Sequence, residues 1–477
     1  MPPRSNLSKA KNWKTVLEYA ESIRDGRKIA CKELQQAVDR FFRDLDNPDY
    51  ELNPKAPEFC IGIIEKTLCH QQGEKLDGTP LRGTPFLLEP FHKFIIYNLI
   101  GFRDKNSGTL RFHEAMIFVP RKNVKTTFAA ALSWALSLYF RKSGSKCYIA
   151  SAALLQSLES FSFLAYNVRR MGEDEKSGGT IKMLDNSTEH SMSAPLPDGS
   201  FYIRALAANP DAQDSLNCNL AICDEIHAFK SPKQYNLFKE AMKAYTNKLL
   251  IGISTAGDNE NSFLGQRLKY CRKVLDGTIT DEQYFIFMCC APDGIRDGSV
   301  DYTDPKVHEM ANPGYGVTIR PEEILNSSLQ AQNDPQQRKD FFAKELNVYS
   351  TAMKAYFNID EFRASDGKYS WTLDQLAKLP IVWYGGADLS KLHDLTAAAL
   401  YGNYKGVDIV ITHAWFPVVA AHIKAEEDGI PLFGWQDDGW LTMCNSPTVN
   451  HSDVVRWFTD MRRQGFKIRQ VGHDRKF

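Results

Sequence analysis

The stretch Val119-Pro120-Arg121-Lys122-Asn123-Val124-Lys125-Thr126 decides how the chain is read. Before it, the apolar run 114–119 reads as a strand. After it, 126–140 is rich in Ala and Leu and reads as a helix. A loop between strand and helix, with Lys-Thr opening the helix, is the placement of a phosphate-binding loop. There, backbone N–H groups and the helix N-terminus answer phosphate charge. On this reading Lys125 meets the β- and γ-phosphates of ATP and the Thr126 hydroxyl ligates Mg2+. Arg121, Lys122, Asn123, Val124 and Thr127 complete the candidate nucleotide-binding set. Both glycine positions of the general pattern are valines, Val119 and Val124. Taken alone, the loop also reads as a basic turn capping a helix.

About a hundred residues on, Leu220-Ala221-Ile222-Cys223-Asp224-Glu225 is an apolar strand ending in two acids. The C-terminal edge of such strands is where α/β sheets bind ligands. Asp224 would hold the Mg2+ shell, and Glu225 would orient and deprotonate the attacking water. A lone run of this kind also reads as a strand end with two solvated acids; its position after a strand–Lys-Thr–helix junction favours the catalytic reading. A third strand, 249–253, runs into Ser254-Thr255-Ala256-Gly257, whose small hydroxyl residues can register the γ-phosphate. By itself it is an ordinary strand and turn.

Working outward, strands are expected at 146–151 and 201–205 and a helix at 154–171. This alternation predicts an α/β domain with a mainly parallel sheet. Ahead of it, 13–45 carries apolar residues at helical spacing in two stretches separated by Gly26. Residues 47–83 read as a turn-rich stretch broken by Pro48, Pro54, Pro57 and Pro80, and 90–102 as a helix. Beyond the sheet, 321–347 reads as helical and 349–364 has no clear period. Then 381–387, 396–401 and 407–412 read as strands, 452–464 as a helix and 467–471 as a strand. The chain has 477 residues, 58 Lys+Arg against 58 Asp+Glu, and 43% hydrophobic residues, which excludes a polycation, a fibrous repeat and a disordered chain. The start has no apolar signal segment, and the run 128–140 is too short to span a bilayer. Ten cysteines without a Cys-x-x-Cys pair fit free thiols rather than a disulfide framework or a zinc site.

With these motifs in order, the chain resembles the large terminase subunit of tailed bacteriophages, in the branch of long-tailed phages with cohesive-end packaging. Residues 120–127 resemble that branch's own phosphate loop. Ile222-Cys223-Asp224-Glu225-Ile226-His227-Ala228 resembles its Asp-Glu-Leu-His-Ala motif, and Ser254, Thr255 and Ala256 its coupling motif. Ala311-Asn312-Pro313 and Glu345-Leu346-Asn347 also match in order. The resemblance implies that Arg121 stabilises transition-state charge, as a guanidinium fork would. His92, in Leu88-Glu89-Pro90-Phe91-His92, stands where the family often has the Gln that reads adenine. Val124 replaces the second, usually retained, glycine. A β-branched residue adopts positive φ only at a cost, so a variant loop backbone or weakened ATP binding is expected.

Farther along, Gly386-Ala387-Asp388-Leu389-Ser390 followed by Asp394-Leu395-Thr396 looks like the first metal motif of the terminase nuclease. His473-Asp474-Arg475 looks like the second. Asp388 and Asp474 on neighbouring strand ends would share divalent cations, Mg2+ or Mn2+, that clamp a phosphodiester. They also read as strand-terminal turn residues. The family's third acidic ligand is not reached by Phe477, so weak or no cleavage is expected. Basic residues from Arg456 to Lys476 would track phosphates or simply solvate a helix.

The expectation is an α/β chain: a P-loop ATPase domain with a helical N-terminal segment, followed by an incomplete RNase H-like nuclease domain. Its boundaries are a helical segment 1–75, an ATPase domain 76–348, a linker 349–378 and a nuclease domain 379–477. The resemblance implies an ATP-driven DNA-packaging motor. Its partners would be double-stranded DNA, a small terminase subunit and the procapsid portal, on which copies form a ring. It would act in the host cytoplasm, with no membrane and no place in the mature virion. The alternative is a non-catalytic DNA- or capsid-binding remnant of such a motor.

Overall fold

The computed structural model describes residues 7–207, 216–349, 364–365, 367–390, 395–419, 421, 430 and 432–473. The chain divides into two compact units, Met1–Lys354 and Ala355–Phe477.

Four helices lead the first unit: α1 (Trp13–Arg24), α2 (Lys32–Asp46), α3 (Lys55–Thr67) and α4 (Pro90–Gly101). The apolar face of α1 (Val16, Tyr19, Ala20, Ile23) and that of α2 (Leu34, Val38, Phe41) enter the same buried core as the central sheet. Two polar ties reinforce this docking. Arg40 Nη1 donates to Tyr284 O at 2.7 Å, and Asp44 pairs with Arg111, both side chains almost wholly buried. Helix α3 corrects the expectation of a turn-rich stretch. Pro54 sits at its N-cap and Pro57 in its first turn, where the missing N–H groups have no intrahelical partner anyway. Short strands β1 (Tyr50–Leu52) and β2 (Phe102–Asp104) pair antiparallel beside these helices.

The central sheet is built from β3 (Glu114–Phe118), β4 (Ser145–Ser151), β5 (Lys182–Asp185), β6 (His190–Leu196), β7 (Gly199–Ala207), β8 (Leu220–Asp224), β9 (Leu249–Ser254) and β10 (Tyr284–Met288). Its order is β10-β3-β9-β8-β4-β7-β6-β5. The run from β10 to β7 is parallel, and β6 and β5 add an antiparallel flank. Strands β3, β8 and β9 are buried nearly throughout, as a sheet covered on both faces requires. Against it pack α5 (Lys125–Tyr139) and α6 (Leu154–Met171). Helix α5 is buried nearly all round, and each of Phe128, Leu132 and Leu136 contributes roughly 1.5–3 kcal/mol by leaving water.

Register sets the site. Phe118 lies opposite Ser254, and Asp224 opposite Ile253. The C-terminal ends of β3, β8 and β9 therefore reach one edge together. Helices α7 (Lys233–Ala241) and α8 (Phe263–Leu275) follow β8 and β9. Beyond β10, α9 (Pro305–Ala311), α10 (Pro321–Asn333) and α11 (Pro335–Lys344) build a small separate core around Val307, Ile324, Phe341 and Leu346. The single helix expected over 321–347 is two. Asp334 caps the second through Gln336 and Gln337, and Pro335 cannot continue the first.

In the second unit a mixed sheet has the order β14-β13-β12-β11-β15. Its strands are β11 (Val382–Asp388), β12 (Thr396–Tyr404), β13 (Val407–Pro417), β14 (Leu441–Cys444) and β15 (Lys467–His473), with α12 (Leu373–Lys378), α13 (Leu432–Asp437) and α14 (His451–Arg463). The first three strands form an antiparallel meander and β15 returns parallel beside β11, as in the RNase H-like fold. Val454, Phe458 and Met461 of α14 close one face of this sheet on Trp383, Leu400 and Ile468. Half of the linker expected at 349–378 lies outside the described residues, and its end carries α12. Among the described residues no helix is long and apolar enough to cross a membrane.

Candidate active site

The loop after β3 turns through two left-handed residues, Lys122 at φ 67° and Val124 at φ 59°. The backbone that glycine usually supplies is kept by a valine. An L-side chain in this region costs roughly 1–2 kcal/mol. The variant backbone expected as one outcome for Val124 is not found: the loop takes the left-handed turn itself. Val124 is the N-cap residue of α5 and offers no side-chain cap, so the first-turn N–H groups face the loop. Asn123 holds the loop from within, Nδ2 donating to Pro120 O at 3.2 Å and Arg121 O at 3.3 Å. Lys125 is buried, with Nζ donating to Pro120 O at 3.1 Å. Burial lowers its pKa, against the opposing pull of Glu225 and Asp224. Arg121 and Lys122 are exposed at the loop tip. The Arg121 charge acts on both Lys125 and Glu225, and its backbone N–H donates to Lys344 O at 2.9 Å. Thr127 is half-buried in the first turn of α5.

At the end of β8, Asp224 is 1% exposed. Burial first, then the neighbouring Glu225 charge, push its carboxyl up to about 7, opposed by Lys125, the Glu225 backbone N–H and the Thr126 hydroxyl. Thr126 and Asp224, proposed as partners on one cation, thus lie close enough for one to act on the other. Glu225 stands at φ 53°, which turns its side chain from the strand toward the coupling segment. Burial alone would raise its pKa; a hydrogen bond from His227 and the charges of Lys125, His227 and Arg121 outweigh it and hold it at about 2. His227 Nδ1 lies 3.0 Å from Glu225 Oε2 and 3.2 Å from Ser254 Oγ. Its backbone N–H donates to the same Ser254 Oγ at 3.0 Å, and Thr255 Oγ1 donates to Glu225 Oε2 at 3.4 Å. The carboxylates and hydroxyl form a hard oxygen set that suits Mg2+ beside a triphosphate. Ala256 donates its N–H to Asn347 at 2.7 Å.

His92 lies apart from the loop tip. It is 2% exposed, its ring 3.9 Å from that of Phe91 and 4.4 Å from that of Phe128 in α5. Its Nδ1 accepts the Glu89 N–H as one half of a capping box at the start of α4, and its buried Nε2 has no partner. Burial lowers its pKa to about 3, so the imidazole is neutral.

Sequence reasoning quoted His227, Asn312 and Asn347 in motifs and gave them no role. Their contacts span 27, 33 and 91 residues of chain, so no local spacing announced them. Two other features stand outside this cleft. Cys31, Glu33 and Cys290 converge. There, however, Glu33 is paired with Arg272 at 2.8 Å, and Cys290 Sγ donates to Glu33 at 3.7 Å, which closes the trio on itself. A cavity of about 530 Å3 opens among His113, Glu114, Lys239, Lys248 and Asp281. It lies where β3, β9 and β10 begin, the edge opposite the one parallel sheets use for ligands. Its Glu114 is already met by Tyr235, Lys239 and Arg267.

In the second unit Asp388 is the exposed last residue of β11. Strand β15 runs beside it with Ala387 opposite His473. Asp474, like Asp394, Arg475 and Lys476, lies outside the described residues. Nearby, Ser390 N donates to Thr396 Oγ1 at 3.1 Å. Part of the basic cluster is spent locally. Arg456 pairs with Asp453 at 3.2 Å, Arg463 with Asp460 at 3.1 Å, and Arg462 donates to Ile468 O at 3.1 Å.

Comparison with known proteins gives two family matches in chain order. Residues 90–273 match the terminase large subunit, ATPase domain, and residues 278–476 match the terminase large subunit, endonuclease domain. Among curated proteins, the chain is 28% identical over 186 residues to protein YmfN of Escherichia coli K12, a match covering 39% of each. It is 25% identical over 412 residues to the terminase large subunit of Enterobacteria phage HK97, covering 83% of this chain and 73% of that one. Among solved structures, the HK97 bacteriophage large terminase aligns over 88% of this chain and 80% of that one, at 22% identity and a TM-score of 0.49. The chain belongs to the terminase large-subunit family and carries that family's ATPase domain followed by its endonuclease domain.

Proposed function

We propose that this chain is the motor subunit that hydrolyses ATP to drive double-stranded DNA into the procapsid, and that it cuts concatemeric DNA with its second unit. The observation that supports this best is the convergence of Lys125, Thr126, Asp224 and Glu225 at one sheet edge, Lys125 and Asp224 buried and the other two half-buried. Lys125, its charge kept by the two acids, would neutralise the β/γ-phosphate bridge. Arg121, exposed beside it, would answer charge spreading over the transferring phosphoryl group. Thr126 and Asp224 would hold Mg2+, which when bound neutralises the phosphate oxygens. Glu225, ionised throughout the physiological range and fixed by His227 and Thr255, would orient the attacking water and take its proton. Lys122, Asn123, Val124 and Thr127 shape the loop, and the buried Nε2 of His92 is the candidate contact for adenine. Ser254, Thr255 and Ala256 would report loss of the γ-phosphate. In the second unit Asp388, with Asp474, would hold Mg2+ or Mn2+ for phosphodiester cleavage.

The domain reading is a helical segment 1–75, an ATPase domain 76–348, a linker 349–378 and a nuclease domain 379–477. The partners are double-stranded DNA, a small terminase subunit, the portal and further copies in a ring. The setting is the host cytoplasm, with transient residence at the portal. ATP turnover of Lys125→Ala and Glu225→Gln tests the site. Each is expected to fall at least about a hundredfold, and unchanged turnover in both rejects it. The second reading, a non-catalytic remnant, draws on the strained valine at 124. Absence of ATP affinity at millimolar concentration in a titration of the wild-type chain would favour it.

A further inference from the structure

A closed circuit of buried amide hydrogen bonds runs from the phosphate loop to the coupling segment and back. Asn123, 1% exposed, reaches out of the loop: its Nδ2 donates to Asn312 Oδ1 at 2.9 Å and its Oδ1 accepts the Gly314 N–H at 2.9 Å. A side chain at Gly314 would collide with Thr318 and press on Asn123 Oδ1, so this close approach needs glycine. Asn312, fully buried just after α9, donates its Nδ2 to His308 O at 3.0 Å and to Glu345 O at 2.9 Å. Two residues beyond Glu345, Asn347 accepts the Ala256 N–H at 2.7 Å and donates to Cys289 O at 2.9 Å. The Cys289 N–H closes the circuit on Phe118 O at 2.8 Å, in the strand that enters the phosphate loop.

Burying a primary amide costs roughly 1–3 kcal/mol unless its donors and acceptor are met. Here three are buried and each is engaged by segments far apart in sequence. Apolar residues would fill the same space, so packing alone does not call for them. None of the three amides is exposed at the cleft. Asn347 also holds a left-handed φ of 59°, which Asn tolerates better than most residues.

We propose that Asn312 and Asn347 are positioning residues for hydrolysis, fixing the phosphate loop and the coupling segment to each other through the end of α11. The two sides of the cleft then shift as one body when the terminal phosphate leaves. This rests on the nucleotide reading above.

Asn312→Asp and Asn347→Asp keep side-chain shape and one acceptor. Each places an oxygen where a donor faced carbonyls: His308 and Glu345 in the first case, Cys289 in the second. ATP turnover of the full chain is measured for both variants and for the double variant. Each single change is expected to lower kcat about tenfold, with KM for ATP within about threefold. The double variant is expected to be no worse than the poorer single, because one circuit is broken either way. Multiplicative losses, or a loss confined to KM, overturn the proposal. A second measurement needs no variant. Hydrogen exchange of the wild-type chain is compared with and without a non-hydrolysable ATP analogue. Protection is expected to rise together in 119–127, 254–257 and 305–349. Protection in 119–127 alone refutes the circuit while leaving the nucleotide site standing. No protection in any of the three removes the nucleotide reading and the circuit with it.

Discussion

At position 124 two preferences collide. The loop needs a left-handed residue, and the sequence supplies a β-branched one at φ 59° whose side chain packs on the core. Substitution separates the two effects. Val124→Gly and Val124→Ala both remove the isopropyl contacts, but only glycine is at ease in this backbone. Val124→Gly is expected to be more stable than Val124→Ala by about 1 kcal/mol, read as a higher melting temperature; equal melting would mean that the turn carries no such cost. His227 poses a sharper question, because its imidazole touches Glu225 and Ser254 at once. Removing it frees the Glu225 carboxylate to rotate, so His227→Ala is expected to lower kcat by about 10–100-fold with little change in KM. A fall in ATP affinity at constant kcat would place His227 in binding instead. The departure at Val124 was legible as a letter in a motif. The role of His227 was not, because its partner Ser254 becomes a neighbour only when β8 and β9 pair.

Among elements, α11 carries a pH-sensitive end. Glu345 follows its last turn, and burial above all, with the Glu323 charge, raises its carboxyl to about 7 against a hydrogen bond from Ser327. Unfolded, it titrates near 4.5. Between those values the folded chain keeps a proton that the unfolded chain has lost, so this group's contribution falls as pH rises through the window and is level above it. Glu345→Gln is therefore expected to match wild type near the lower value and to melt higher than wild type at pH about 8; an equal difference at both pH values would contradict it. A helix with a clear period was readable: 154–171 appears with those bounds, and the apolar strand expected over 249–253 runs one residue further, to Ser254. Helix α3 was hidden because prolines punctuate turns as readily as first turns. Strand β10, Tyr-Phe-Ile-Phe-Met, was passed over because five apolar residues in a row have no period. Its place beside β3 is a property of the sheet.

For the whole molecule, two units with their own cores predict separable chemistry. Asp388→Ala is expected to remove whatever metal-dependent DNA cleavage the wild-type chain shows and leave ATP turnover within about twofold, and Lys125→Ala the reverse. Both losses from either single change would refute independent sites, and EDTA should silence both activities. The leading helices belong to the first core, held by the Asp44–Arg111 pair. Asp44→Ala removes one of two carboxylates that meet the buried Arg111, whose guanidinium lies against Tyr50 and Phe112 and keeps Glu282, and is expected to destabilise the first unit by about 1–3 kcal/mol, measured by thermal melting. All ten cysteines are buried and unpaired, so alkylating dyes find no ready native target on the folded surface. A single cysteine introduced at an exposed position, such as Lys122 at the loop tip, would take a fluorophore almost alone. That would turn the wild-type background into a silent frame for watching the cleft open and shut during turnover.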